Sequence, residues 1–506
     1  MHIQTTPRLT ISHFWQCDQR KPSCLKCEKS RYHCPGYRDL HQVLFRDESE
    51  RVRQKAYEKH LTQPNLTGGV VRGGDLVQAF QPLHSATAFL TSNLSCGLSH
   101  PLGELGMNFF FTRYTFDQPP FSHGYSHWLA QACFGHTPNH ALQAAIEAVG
   151  TAALANVFHA PSAAAKSKKQ YSWALMATKR ALNNPTQALA DETMMAIILL
   201  GLFETVTFDT WDHYQGWETH VQGATALLEL RGRQQFNTER GGQLFIQLRS
   251  QILSTCMQRH IPVPKTLMQM WDTFYTSKTR KWWQRRNLAT SNSICEISFR
   301  LVNLRAALRN GKIAGAQTII DTAIAIDEDL VTWRTTMPLE WNYTTVDAPD
   351  NFGGTAHTYP NLWVAEAWKN WRILRILVNQ TIYENGGGSS QPSDESISKA
   401  PSVIRESSWE LCICCSNFMG TPRVPTLIEP LYLVAMEYLN PLELRHFAIE
   451  QLRSIDTTMG IRHASLLAGM AYESLMSNNP EHVLTNYVAT MGTTMSPSQV
   501  PAISFA

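Results

Sequence analysis

His220-Val-Gln-Gly-Ala-Thr-Ala-Leu-Leu-Glu-Leu-Arg-Gly232 reads as the closing turns of a packed helix. Gly223 and Ala224 permit close approach of a neighbour, Leu227, Leu228 and Leu230 supply apolar mass, and Gly232 is a natural stop. His220 resembles a catalytic residue at first sight, but a packing or capping role is expected. Upstream, Asp191-Glu-Thr193 opens Met194-Met-Ala-Ile-Ile-Leu-Leu-Gly-Leu-Phe-Glu204, apolar nearly all round and therefore a central helix. Its methionines are expected as core filler. Ala141–Gly150 and Tyr171–Leu182 read as amphipathic helices, the second stopped by Asn183-Asn-Pro185.

Helical spacing begins at Met107 and continues past this centre. Leu362-Trp-Val-Ala-Glu-Ala-Trp-Lys-Asn-Trp-Arg-Ile-Leu-Arg375 is an aromatic-rich helix, and Gly386 to about Ala400 is a Gly/Ser loop. Two last helical stretches follow, Ser407–Met419 and Leu444–Met476. No strand alternation of any length occurs, so the expected fold is all-α.

Composition agrees with a large core. The chain has 506 residues, 43% of them hydrophobic and 17% charged, with a formal net charge of +3. That excludes a disordered polyelectrolyte and confines any basic bias to local segments. Four of the 11 cysteines sit in the first 34 residues. The others are scattered, as expected of small hydrophobes in a reducing compartment. Met1–Arg8 lacks the regions of a secretory signal, and the longest apolar run, Met194–Phe203, is too short to span a bilayer. An intracellular, soluble protein without membrane contact is expected.

The N-terminal cysteines form a pattern of their own. Cys17, Cys24, Cys27 and Cys34 follow C-x6-C-x2-C-x6-C, with Arg20, Lys21, Lys26, Lys29 and Arg31 filling the gaps. Thiolates suit zinc, and four of them close a tetrahedral site at about 2.3 Å per bond. Pro22 sets a bend between the first two. Zn2+ is the expected ion.

This stretch resembles the second half of a fungal Zn2Cys6 cluster, whose full pattern is C-x2-C-x6-C-x5-12-C-x2-C-x6-8-C. The resemblance makes Cys17, Cys24, Cys27 and Cys34 the third to sixth cysteines of that pattern. It implies two zinc ions on six thiolates and a basic helix in the DNA major groove. This chain departs from it: Pro7 and Thr10 stand where the first two cysteines belong, and Ile11-Ser-His-Phe-Trp-Gln16 carries no Lys or Arg. Two origins account for the difference. Residues 1–16 are a wrongly spliced or wrongly started version of a six-cysteine product, or the chain is a true short form binding one zinc or none; His13 is a candidate substitute ligand, but a lone His in an apolar terminus is more often just a side chain.

The resemblance extends along the chain to about Ala471. Cys34-Pro-Gly-Tyr-Arg-Asp39 with Phe45-Arg-Asp-Glu48 resembles one branch of these proteins. His220–Gly232 resembles the His-x-x-Gly-Ala-x-x-Leu-Leu-x-x-Arg-Gly pattern of the fungal-specific transcription-factor domain. Trp333, Pro338, Trp341 and Tyr343 resemble a further segment of it. Relatives dimerise through a coiled coil after the cluster, whereas Arg38–Lys59 has no apolar heptad, so this segment gives no support for a homodimer.

Competing chemistry is weak. There is no G-x-S-x-G, H-E-x-x-H, P-loop or dinucleotide fingerprint, and the doublets Gly68-Gly69 and Gly73-Gly74 lie in a linker. Asp327-Glu-Asp329 reads as a solvated face, and Cys412, Cys414 and Cys415 as buried packing. Lys278-Thr-Arg-Lys-Trp-Trp-Gln-Arg-Arg286 is the strongest basic patch: a solvated helix end, a nuclear import signal or a base-stacking surface.

The combined expectation is an atypical N-terminus (1–16), a partial cluster (17–37), a charged segment and linker (38–104) and a large helical domain (105–490). The resemblance implies a non-enzymatic nuclear regulator of RNA polymerase II genes that binds promoter DNA and zinc and contacts the transcription machinery. Cys17, Cys24, Cys27 and Cys34 are its metal ligands, and Arg20, Lys21, Lys26, Lys29 and Arg31 its DNA contacts. The rivals are an interaction module of corepressor type that keeps only the helical domain, and an all-helical enzyme.

Overall fold

The computed structural model describes residues 101–115, 128–134, 139–208, 211–276, 289–313, 315–386 and 395–476. Its middle is laid down by two helices that bury nearly everything they carry. Asn139 caps α3 (His140–Val157), its side chain accepting from the Leu142 N–H at 3.0 Å. Alanine and glycine then let neighbours close on several faces of α3. α6 (Asp191–Val206) has acids in its first turn and buries Met194, Met195 and Leu199 almost completely. It is the central helix that its sequence demands.

Around this pair lie α1 (Leu102–Tyr114), α2 (Trp128–Phe134), α4 (Pro161–Leu182) and the short α5 (Pro185–Ala188). α1 begins five residues before the helical spacing that starts at Met107. It crosses α3 at backbone distance, since a Cβ on Gly150 would lie 2.0 Å from the Gly106 carbonyl oxygen. α4 ends at Asn183, as the Asn-Asn-Pro sequence requires.

α7 (Trp211–Arg231) stops at Gly232, whose φ of +51° suits glycine. Val221, Ala224, Leu227 and Leu228 are its buried stripe. Two expectations fail here. Gly223 faces open space, and Leu230 is 68% exposed. Both fall off the stripe that 3.6-residue spacing turns toward the core. The close approach occurs instead at Gly201, where a Cβ would lie 3.4 Å from the His220 Cβ.

α8 (Glu239–Arg259), α9 (Lys265–Thr276) and α10 (Ala289–Arg309) gather round Phe236, Phe245, Trp271 and Phe274. α11 (Ala316–Thr335) and α12 (Leu362–Gly386) follow, and the chain between them adds a small strand pair to a domain that is otherwise helical, as expected. β1 (Thr344–Asp347) and β2 (Thr355–Thr358) form an antiparallel ribbon, with Thr344 opposite Thr358 and Asp347 opposite Thr355. Each strand is only four residues long, too short for alternation to register in sequence.

α13 (Glu395–Cys414) starts inside the expected Gly/Ser loop and carries Pro401 within it. Burial of Ala400 and Ile404 outweighs the lost N–H. α14 (Ile428–Met436), α15 (Leu442–Met459) and α16 (Arg462–Met476) complete the fold. The single stretch expected over Leu444–Met476 is thus two helices. They break at Gly460, with φ +71°, where a Cβ would lie 2.3 Å from the Ala153 carbonyl oxygen. Asn156 fastens this corner, donating to the Val206 and Gly460 carbonyls at 2.8 Å each. One apolar cluster runs from Met107 to Ala471. Among the described residues, no helix is long and apolar enough to cross a membrane.

Candidate functional site

The residues expected to hold zinc and DNA lie outside the described residues: Cys17, Cys24, Cys27 and Cys34, with Arg20, Lys21, Lys26, Lys29 and Arg31. So does Lys278–Arg286. Among the described residues, no group of three or more His, Cys, Asp or Glu side chains could hold a metal ion. Cys412, Cys414 and Cys415 are buried, as expected. Cys414 and Cys415 both donate to the Leu411 carbonyl, at 3.1 and 3.3 Å, and burial pushes their thiols up.

The polar chemistry of the helical domain gathers at two places. At the first, α4, α6 and α7 meet around the stretch that begins at His220. The Tyr171 hydroxyl donates to Glu204 Oε1 and lies 3.0 Å from His220 Nε2, which in turn stands 3.8 Å from Glu204. Gly216 makes room, since a Cβ there would lie 2.8 Å from the Glu204 carboxyl. Tyr171 also stacks on Phe203 at 4.2 Å. Burial, then the Glu204 hydrogen bond and charge, push its phenol up, so it stays a donor. The trio ties three helices, and His220 has the packing role expected of it.

The second place is larger and went unseen in the sequence. Arg372 of α12 is fully buried. Its Nε donates to Glu410 Oε2 of α13 at 2.9 Å, its Nη1 to the Tyr359 hydroxyl at 2.8 Å, and its Nη2 lies 3.3 Å from His357 Nδ1 of β2. Tyr343 and Trp368 supply aromatic faces 5.1 and 5.7 Å from the guanidinium. Burial opposes the Arg372 charge, but its polar neighbours more than offset this and raise its pKa. Burial, with Arg372 beside it, pulls His357 down to about 4, so its ring is neutral and accepts.

One turn away, Lys369 donates to Glu366 Oε1 at 2.6 Å and to Thr426 Oγ1 at 2.7 Å. Burial alone would raise the Glu366 pKa, but Lys369 and Arg423 hold it down. Trp341 and Tyr343, singled out in the sequence, frame this centre. Trp368 Nε1 donates to the Trp341 carbonyl at 2.8 Å, and Tyr343 packs edge-on against Trp368. Asp327 departs from the solvated face expected of it. It accepts from Arg375 at 2.7 Å and Asn379 at 2.8 Å, a pairing made across helices that spacing along one helix does not reveal. The missed signal was two cations, Lys369 and Arg372, on the tryptophan face of an aromatic helix.

Each buried charge in this second centre is matched by a carboxylate, and the ribbon is bolted to α12 and α13 through it. The domain is therefore a helical scaffold whose polar groups hold its elements in register. Its lineage is explicit. The family described as fungal specific transcription factor domain matches residues 107–465, and the chain belongs to that family. It is a transcription regulator of the fungal type. No curated protein and no solved structure matches the chain.

Proposed function

We propose that the chain is a zinc-cluster transcription factor that binds promoter DNA sequence-specifically and regulates RNA polymerase II genes, in a metabolic or secondary-metabolite set. The family match over 107–465 carries this reading, because it lies downstream of a cysteine pattern with zinc spacing. Cys17, Cys24, Cys27 and Cys34 would hold the ion, and the ion supplies folding energy to a segment with little apolar mass. Arg20, Lys21, Lys26, Lys29 and Arg31 would lie along the phosphates, where each released counterion adds affinity. The protein acts in the nucleus, and its helical domain docks the transcription machinery.

The test is selection of random duplex DNA by the full-length chain, with and without a zinc chelator. Enrichment of one motif, lost on chelation and in Cys24→Ser, is the expected result. Binding of unselected DNA only, or none, would overturn the reading. One observation favours a second reading, an interaction module of corepressor type: Ile11–Gln16 has no cation where a base-reading helix belongs. That reading expects no DNA affinity even at low salt.

A further inference from the structure

α4 is built inside out in size. Its inward stripe is small, with Ala163, Ser167, Ala174, Thr178 and Ala181 against the core. Its largest apolar side chains point away: Trp173 is 51% exposed, Met176 49%, Leu182 43% and Leu175 38%. Small inward residues let α4 sit close to α3, but they cannot explain the outward ones. Isolated exposed apolar residues are ordinary, but Trp173 and Met176, three residues apart, share one side of the helix and form a patch, while Leu175 and Leu182 lie round its other flank.

Charge marks the same face. The helix carries Lys166, Lys168, Lys169, Lys179 and Arg180 and not one Asp or Glu. Lys166 stands 3.9 Å from Glu147. Lys168, Lys169, Lys179 and Arg180 are exposed and make no ion pair among the described residues. One pair lies about a turn before Trp173 and the other a turn after Met176, so cations bracket the apolar patch at both ends.

We propose that this face of α4 docks an acidic amphipathic segment of a partner protein, whose apolar side chains cover Trp173 and Met176 while its carboxylates reach Lys168, Lys169, Lys179 and Arg180. Charge complementarity selects the acid, since a surface of one sign steers and retains the opposite sign. The interleaved apolar side chains select a peptide over nucleic acid, whose phosphates would leave them wet. Spacing one turn apart matches the anchors of a docked helix. The proposal does not rest on DNA binding by the N-terminus and stands or falls separately.

The test uses the full-length protein and a labelled synthetic peptide with Asp and Glu on one helical face and Leu and Phe on the other. A scramble of the same composition, duplex DNA and phosphatidylserine vesicles are the competitors. Saturable binding is expected. Lys168→Glu with Lys179→Glu should weaken it about tenfold or more, and Trp173→Ala comparably, with circular dichroism unchanged because these side chains are exposed. An unbound peptide, a scramble that binds equally, or variants without effect would overturn the proposal. So would displacement of the peptide by DNA or vesicles at lower concentration than by unlabelled peptide.

Discussion

The crossing of α1 and α3 and the Arg372 centre are equally buried and are held by opposite means. At the crossing, Gly103, Gly106 and Gly150 remove side chains so that backbones touch, and dispersion does the work. At Arg372, large aromatic rings and a matched charge pair fill the space between α12, α13 and the ribbon. The first region tolerates no added atom. The second tolerates no missing partner.

That contrast orders the expected effects of substitution. Glu410→Ala leaves the fully buried Arg372 without its carboxylate and should cost about 3–5 kcal/mol by denaturant unfolding. Arg372→Met with Glu410→Leu should recover most of it, because an apolar pair removes the unpaired charge. If the double variant is no better than the single, the charge pair is not what holds this region.

Gly150→Val should cost about 3 kcal/mol or more, because the new carbon would stand 2.0 Å from a backbone oxygen that cannot move aside. A near-neutral result would mean that the crossing is loose. The two regions should also differ toward acid. His357 is held at about 4 in the folded chain against 6.5 unfolded, so the unfolded chain binds more protons between those values. The stability it contributes is present above pH 6.5 and is lost as pH falls toward 4, by about 3 kcal/mol. His357→Gln should flatten that slope, while a variant at the glycine crossing should leave it unchanged. The smallest effect is expected at Leu230→Ser, within about 0.5 kcal/mol, because that side chain is exposed.

Periodicity exposes one region far better than the other. α3, α6 and the end of α7 are legible because burial on a helix repeats every 3.6 residues, and Asn183 and Gly232 mark boundaries. Leu230 was misplaced by counting leucines rather than following the stripe. The ribbon stayed hidden because two four-residue strands hold too few positions to show a period. The Arg372 centre joins residues from position 343 to position 426, and nothing local in sequence says that Glu410 answers Arg372. Gly460 gives no local signal, because glycine inside a helical stretch is tolerated and its contact with Ala153 comes from a helix about three hundred residues earlier. The residues proposed to hold zinc and DNA are the reverse case: their spacing is plain in sequence, and they lie outside the described residues.

The central claim is that a metal-holding terminus is joined to this scaffold. Native mass spectrometry of the full-length chain, purified without chelator, tests it most directly. Bound zinc is expected, reduced or lost in Cys17→Ser and Cys27→Ser and unchanged in Cys412→Ser, whose thiol is buried in packing. A chain that carries no zinc, or keeps it in the N-terminal variants, would contradict the claim.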